Sequence, residues 1–180
     1  MAPQSVAIER IGKGASAADV RGLATILLDA VDGNAGISFL ADLTRQEAEA
    51  WWQSVLESSS PRAVILVARD AEGLVGTVQM QPAWAPNQPH RADVAKLIVH
   101  RRGRRRGIAR ALMEAVEHEA QAAGFTLLLL DTCRDGAAEQ LYASTGWVRV
   151  GEVPGFALNP DGSDCDTVFY YKQLAQARVS

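Results

Sequence analysis

The chain has little of what would tie it to a metal, a membrane or a nucleic acid. Only two of its 180 residues are cysteines, Cys133 and Cys165. They show neither metal-ligand spacing nor a disulfide framework. The three histidines, His90, His100 and His118, are scattered along the sequence. No metal site is therefore expected. No apolar run approaches the roughly 20 residues that cross a bilayer, and the first ten residues lack an apolar core of signal-peptide length. Positive charge is not in excess, because 18 Lys and Arg against 21 Asp and Glu give a net charge of −3. That argues against a generally basic nucleic-acid binder. Repeats, low-complexity tracts and internal linkers are missing as well. A reducing cytoplasm is the expected compartment.

What is present reads as one globular domain over residues 1–180, long enough to bury a real core. The order of elements follows from apolar spacing and turn residues. A first strand runs from Val6 to Ile11. A helix starts at Ser16, three residues before Asp19, and carries Val20, Leu23, Ala24, Leu27 and Val31 on one face. Thr44 and Glu47 have the spacing of a capping box and open a second helix with Ala48, Trp51, Trp52, Val55 and Leu56 as its stripe. Those tryptophans, like Trp84, read as packing rather than as a stacking platform. Strands follow over Ala63 to Arg69 and Leu74 to Met80, joined by a tight turn at Asp70 to Gly73. A further strand covers Ala92 to Val99. A helix over Ile108 to Ala123 ends at Gly124. The run Thr126 to Leu130 is continuously apolar, as for a strand buried on both faces. A short helix from Ala137 to Ser144 and two closing strands, Trp147 to Val153 and Thr167 to Lys172, complete the chain. The fold class is α/β, a mixed sheet in which the middle strand–helix–strand unit is parallel with a right-handed crossover.

Chemistry concentrates in the stretch from Val99 to Arg110. Five arginines, Arg101, Arg102, Arg104, Arg105 and Arg106, lie with Gly103 and Gly107 between a strand and a helix. Helix-start N–H groups have no intrahelical partner, and the helix dipole favours an anion there. Small residues at Gly107 and Ala109 keep that turn open to a phosphate. The loop alone fits equally well a solvated, basic helix start. It is neither a P-loop nor a dinucleotide fingerprint. Tyr142 stands at the end of the short helix, where a tyrosine is most often packing but could also donate a proton to a leaving thiolate. Two acids sit at strand ends, Asp93 and Asp131. Neighbouring parallel strands would set them about 5 Å apart laterally, if register allows. Alternatively Asp93 pairs with Arg91 or Lys96, and Asp131 caps a turn. Cys133 lacks any histidine placed to activate it as a nucleophile.

Two of these segments carry a family resemblance. Leu97 to Met113 resembles the acetyl-CoA-binding motif of the GNAT acetyltransferases, and Ala137 to Trp147, with its Tyr and Gly-aromatic pair, resembles that family's next motif. Phe39 to Leu43, Arg91 to Leu97, Leu128 to Thr132 and Arg149 to Gly155 are similar to the tabtoxin-resistance acetyltransferases within it. The resemblance implies a GNAT-like fold: a central, mostly antiparallel sheet whose one parallel pair splays at the cofactor site. It implies transfer of acetyl from acetyl-CoA to a primary amine of a small molecule, such as an amino-acid-like toxin. Backbone groups of Leu97, Ile98 and Val99 would hold the pantetheine arm, with Arg104, Arg105, Arg106, Gly107, Ile108, Ala109 and Arg110 around the pyrophosphate. Tyr142 would protonate the CoA thiolate, and Asp93 or Asp131 would take the proton of the acceptor ammonium. Arg101 stands where the family often has Pro, and Asp135 where it often has Asn. A carboxylate at 135 cannot donate as an amide does. Other readings are a protein or peptide N-acetyltransferase, an acyl-CoA sensor without turnover, or an arginine-cluster nucleic-acid module. The partner set expected is a small amine, without nucleic acid or membrane, acting as a monomer or homodimer.

Overall fold

A computed structural model describes residues 5–58 and 60–175. The elements, in chain order, are β1 (Ala7–Ile11), α1 (Ala17–Asp32), α2 (Arg45–Ser58), β2 (Val64–Asp70), β3 (Gly73–Pro82), β4 (Arg91–Val99), a 3-10 turn (Arg101–Gly103), α3 (Ile108–Ala122), β5 (Leu127–Cys133), α4 (Ala137–Ser144), β6 (Val148–Leu158) and β7 (Asp164–Gln173). Both expected capping boxes form. Ser16 Oγ accepts from the Asp19 N–H, and the Asp19 carboxylate accepts from the Ser16 N–H. Thr44 and Glu47 repeat the exchange at α2. Each satisfies two donors that a helix start otherwise leaves without partners.

The strands form one mixed sheet in the order β1-β2-β3-β4-β5-β7-β6. All neighbours are antiparallel except β4 and β5, which are parallel as expected from the strand–helix–strand unit between them. Helices cover both faces. On one face α1 and α2 pack Leu23, Ile26, Leu27 and Trp52 against Ile65 and Val67 of β2. On the other, α3 and α4 pack Leu112, Met113, Val116 and Tyr142 against Leu66, Val78, Leu128 and Val168.

This layering corrects one expectation. The apolar run at β5 is not buried on both faces: Leu128 and Leu130 are buried, Leu127 and Leu129 are half-buried, and Asp131 is exposed. Its α3/α4 side lies in the core, while its other side stays partly open to solvent. The strands buried on both faces are β2 and β3, whose residues Val64 to Ala68 and Leu74 to Met80 are all buried between the two helix layers. Asp131 therefore lies within a strand that continues to Cys133 rather than closing it. The closing strands are also longer than apolar spacing suggests, because β6 extends through irregular pairing past Pro154 and Gly155.

Candidate active site

β4 and β5 pair through only three residue pairs, Arg91 with Leu127, Ala92 with Leu128 and Asp93 with Leu129. Both strands continue for several residues without pairing to each other, so the sheet opens between them. The His100 N–H donates to the Val75 carbonyl on β3. Backbone groups alternate sides along a strand, so those of Leu97 and Val99 turn the other way, toward the gap. Ile98 pairs with Thr77 of β3 and buries its side chain on the α1/α2 side.

The arginine loop follows directly. Arg105 and Gly107 both adopt left-handed backbone, with φ of 59° and 76°. Glycine takes that conformation freely and arginine does so at a cost. Gly107 is the N-cap of α3 and provides no side-chain cap. The amides at the start of α3 therefore have no intrahelical or capping acceptor, which is the arrangement an anion needs. Gly103 lets the loop lie against the sheet, because an added Cβ would stand 2.4 Å from Val75 Cγ2.

Four of the arginine side chains, those of Arg101, Arg102, Arg106 and Arg110, point two ways. Arg101 pairs with Asp29 and Asp32 at the C-terminal end of α1. Arg102 grips both oxygens of Asp70 at 2.9 and 2.8 Å, and Arg106 reaches the same carboxylate at 3.1 Å. The Asp70 side chain has no exposed surface. Burial alone would raise its carboxyl, but hydrogen bonds from Arg102, the Glu72 N–H and Arg106 outweigh that and hold it below the usual carboxylate range. These arginines brace the loop from behind. Arg110 reaches forward instead and donates to Ser144 Oγ, linking α3 to α4.

Tyr142 of α4 is buried, its ring 5.6 Å from that of Tyr170 and 6.0 Å from that of Trp147. Burial, with Asp131 and Tyr170 nearby, pushes its hydroxyl well above the ordinary tyrosine value. The phenol thus holds its proton and remains a donor at neutral pH.

The face of the gap opposite α3 and α4 carries the charged groups. Asp131 shares it with Phe169, its cross-strand partner on β7. Asp131 lies just beyond the last β4–β5 pair, where solvent reaches it. Partial burial raises its carboxyl, Lys96 opposes that shift and Asp93 adds to it. The structure thus brings Asp131 within electrostatic range of Asp93, Lys96 and Tyr142. Asp93 itself is paired to Arg91, the simpler of its two sequence readings. Asp135 is turned away with left-handed backbone, its N–H donating to Glu139 Oε2.

The segment between α1 and α2 lies over this face. Ala41 N–H donates to the Pro160 carbonyl, and Asn34 exchanges hydrogen bonds with Asp161 in the β6–β7 turn. Ser38 Oγ accepts from Lys96 Nζ at 2.9 Å. A cleft of about 620 Å³ opens to one side, lined by Asp29, Asn34, Leu43, His100, Arg101 and Asp161. It contains none of Asp93, Asp131 and Tyr142, and its walls are already cross-linked by the ion pairs of Arg101. The gap between β4 and β5 is the better candidate site.

Two features have no signal in the sequence. Lys96 and Ser38, both with positive φ, meet across 58 residues of chain, and no residue pattern announces that conformation in a lysine or a serine. The cysteines are the other: Cys133 and Cys165 are joined by a disulfide, with Cα atoms 5.8 Å apart. The expectation of no such link fails because β5–β7 pairing sets Cys133 opposite Thr167, beside Cys165, across 32 residues of sequence. A bonded Cys133 is not a nucleophile.

Comparison with known proteins agrees with this geometry. The model of the acetyltransferase (GNAT) family matches residues 35–147. An uncharacterized N-acetyltransferase from the hisH-hisA intergenic region of Azospirillum brasilense is 33% identical over 128 residues, 70% of this chain and 74% of that one. A GCN5-related N-acetyltransferase from Kribbella flavida superposes with a TM-score of 0.76 at 23% identity, over 94% of this chain and 98% of that one. The structure of yncA from Salmonella typhimurium, solved with its cofactor acetyl-CoA, gives a TM-score of 0.76 at 17% identity over 98% of each chain.

Proposed function

This chain belongs to the acetyltransferase (GNAT) family and is an N-acetyltransferase; from that premise we propose that it acetylates a primary amine of a small molecule from acetyl-CoA by direct transfer. One observation carries the reading: β4 parts from β5 after Asp93 and Leu129 and runs into an uncapped helix start. The slot and the anion site are thus continuous. They suit a cofactor with an amide-bearing arm and a pyrophosphate at one end. Backbone groups of Leu97 and Val99 would hold the arm, and amides from Arg104 to Arg110 the pyrophosphate. When bound, acetyl-CoA supplies the acetyl thioester and a thiolate leaving group.

The chain's own groups divide the proton work. Asp131, with its affinity for a proton raised and its face open to solvent, takes a proton from the acceptor ammonium and frees the nitrogen lone pair. Asp93 is less suited, because its charge is already compensated by Arg91. Tyr142 keeps its proton at Oη and donates it to the departing sulfur. Open N–H groups on the β4 lip polarise the carbonyl.

A small acceptor is favoured over a peptide by the α1–α2 segment, which is tied to the β6–β7 turn and to Lys96 across the acceptor face. The stretches similar to the tabtoxin-resistance acetyltransferases support an amino-acid-like toxin or antibiotic as that acceptor. Ion pairing of Arg101, Arg102 and Arg106 to acids disfavours a nucleic-acid role for the cluster. A thiol-release assay with acetyl-CoA and a panel of amines tests the proposal. Amine-dependent release is expected. Release with peptide N-termini alone would replace the acceptor assignment, and acetyl-CoA binding without release would leave a sensor.

A further inference from the structure

Lys96 is placed with unusual care by the backbone of β4. It lies in a bulge of β4, where Ala95 opposes Gln79 and Ile98 opposes Thr77, so that Lys96 and Leu97 together face the single residue Val78. Its φ is 54°. Bulges re-aim side chains, and an L residue held in left-handed backbone is a strain that the surroundings must maintain. Its partner Ser38 is strained as well, with φ of 76°. Two costly backbone conformations thus point one ammonium and one hydroxyl into the same space.

The ammonium is poorly satisfied there. It donates to Ser38 Oγ at 2.9 Å and lies 5.8 Å from the ring centroids of both Phe39 and Trp51. An ammonium has three donors. Among the described residues, none of the ion pairs includes Lys96, although the other cations around β4 are matched: Arg91 to Asp93, Arg101 to Asp29, Arg102 to Asp70. Burial pulls the pKa of Lys96 below the ordinary lysine value, and only the field of Asp131 opposes that. Lys96 is half-buried, and a partly desolvated cation without a paired anion favours the arrival of one. Asp131 marks the same face with a negative group. Apart from the mutually paired Arg91 and Asp93, the face therefore presents one carboxylate and one cation to whatever occupies it, the complement of a zwitterion.

We propose that Lys96 is a specificity-determining residue that receives a carboxylate of the acceptor, so that the favoured substrates are amines carrying an acid group. This rests on the acetyl-transfer reading above and names the acceptor class within it. The acceptor's ammonium meets Asp131 while its carboxylate meets Lys96 Nζ, with Phe39 and Trp51 walling the space between the strand and the α1–α2 segment.

The test uses a panel of α-amino acids, each beside its own carboxamide, which keeps the amine and removes the acid. Acetyl-CoA-dependent thiol release and equilibrium binding are measured for the unaltered protein, Lys96→Met, Lys96→Arg and Ser38→Ala. The unaltered protein is expected to prefer the acid over the amide by 10- to 100-fold in kcat/KM, about the range of one charge-assisted contact. Lys96→Met should bring that ratio near one, mainly through KM for the acid. Lys96→Arg should keep a part of it, and Ser38→Ala most of it, since the ammonium remains. Equal handling of acid and amide by the unaltered protein overturns the proposal. So does a loss in Lys96→Met that falls equally on both, or a loss of the ratio in Ser38→Ala equal to that in Lys96→Met, because a structural latch would act in that way. If no amine releases thiol, the acetyl-transfer reading fails instead, and the binding ratios still decide the role of Lys96.

Discussion

Replacing Gly103 with alanine should separate the fold of the arginine loop from its chemistry. A Cβ at this position would lie 2.4 Å from Val75 Cγ2, 3.1 Å from Ile108 Cδ1 and 3.3 Å from Val99 Cγ1. Carbon atoms rest about 3.5–4.0 Å apart, so either the loop or Val75 must move by roughly 1 Å. Val75 is fully buried on β3 and cannot simply swing into solvent. Overpacking of this kind costs about 1–3 kcal/mol. For a chain of this length 1 kcal/mol shifts the melting temperature by about 2–4 °C, so a drop of roughly 4–8 °C is expected near the middle of that range. The partner change, Val75→Ala, makes room where the clash falls. By itself it opens a small cavity and destabilises. In the double variant the two defects should partly cancel, leaving it about 1 kcal/mol more stable than the sum of the singles. Denaturant unfolding of the four proteins measures the cycle, and acetyl-CoA titration should show weaker binding in Gly103→Ala that the double variant partly restores. A Gly103→Ala protein as stable as the parent would refute the close approach, and additive singles would show that Val75 is not what the new methyl meets.

Three further expectations concern protons. Tyr142→Phe should lower turnover by about 100-fold, the low end for a lost general acid, while acetyl-CoA affinity by calorimetry stays nearly constant; full turnover removes the tyrosine from the mechanism. Asp131→Asn should move the rise of the pH–rate profile upward, because the amine must then reach the site already deprotonated, and a profile identical to the parent's argues against Asp131 as base. In the parent that limb should lie above the ordinary carboxylate range, the direction in which burial and Asp93 shift Asp131. Asp70 works in the opposite direction. Its pKa is lowered on folding, so the stability it contributes is present above the ordinary carboxylate value and is lost as pH falls through the depressed one. The stability gap between the parent and Asp70→Asn should therefore be widest near neutral pH and close in acid; a gap constant down to low pH would count against the charged anchor.

Local sequence signals located most of the architecture. Ser16 with Asp19 and Thr44 with Glu47 announce their helices because a capping box is a contact over three residues. The parallel β4–α3–β5 unit is legible because apolar period and a glycine-bearing loop are local too. The burial of β5 is not legible, since four consecutive leucines state what a strand can bury but not whether a helix covers its second face. The bracing of Arg101 and Arg102 was invisible for a related reason: Asp29 and Asp70 lie 72 and 32 residues away. Lys96 looked like a possible partner for Asp93. Its actual direction follows from a bulge, and a bulge depends on pairing register rather than on residue type.

The three residue pairs that join β4 to β5 have a mechanical consequence. β1 to β4 form one panel and β5 to β7 another, and the sheet hydrogen bonds between the panels are few. What else ties them is mainly the shared core under α3 and α4. The molecule is built like a book whose spine is stitched only at one end. An occupant bonding to both lips of the gap adds the missing stitches, so the panels then open and unfold as one unit. Amide exchange in β5 should slow on binding by more than in β2 and β3, whose neighbours are complete on both edges.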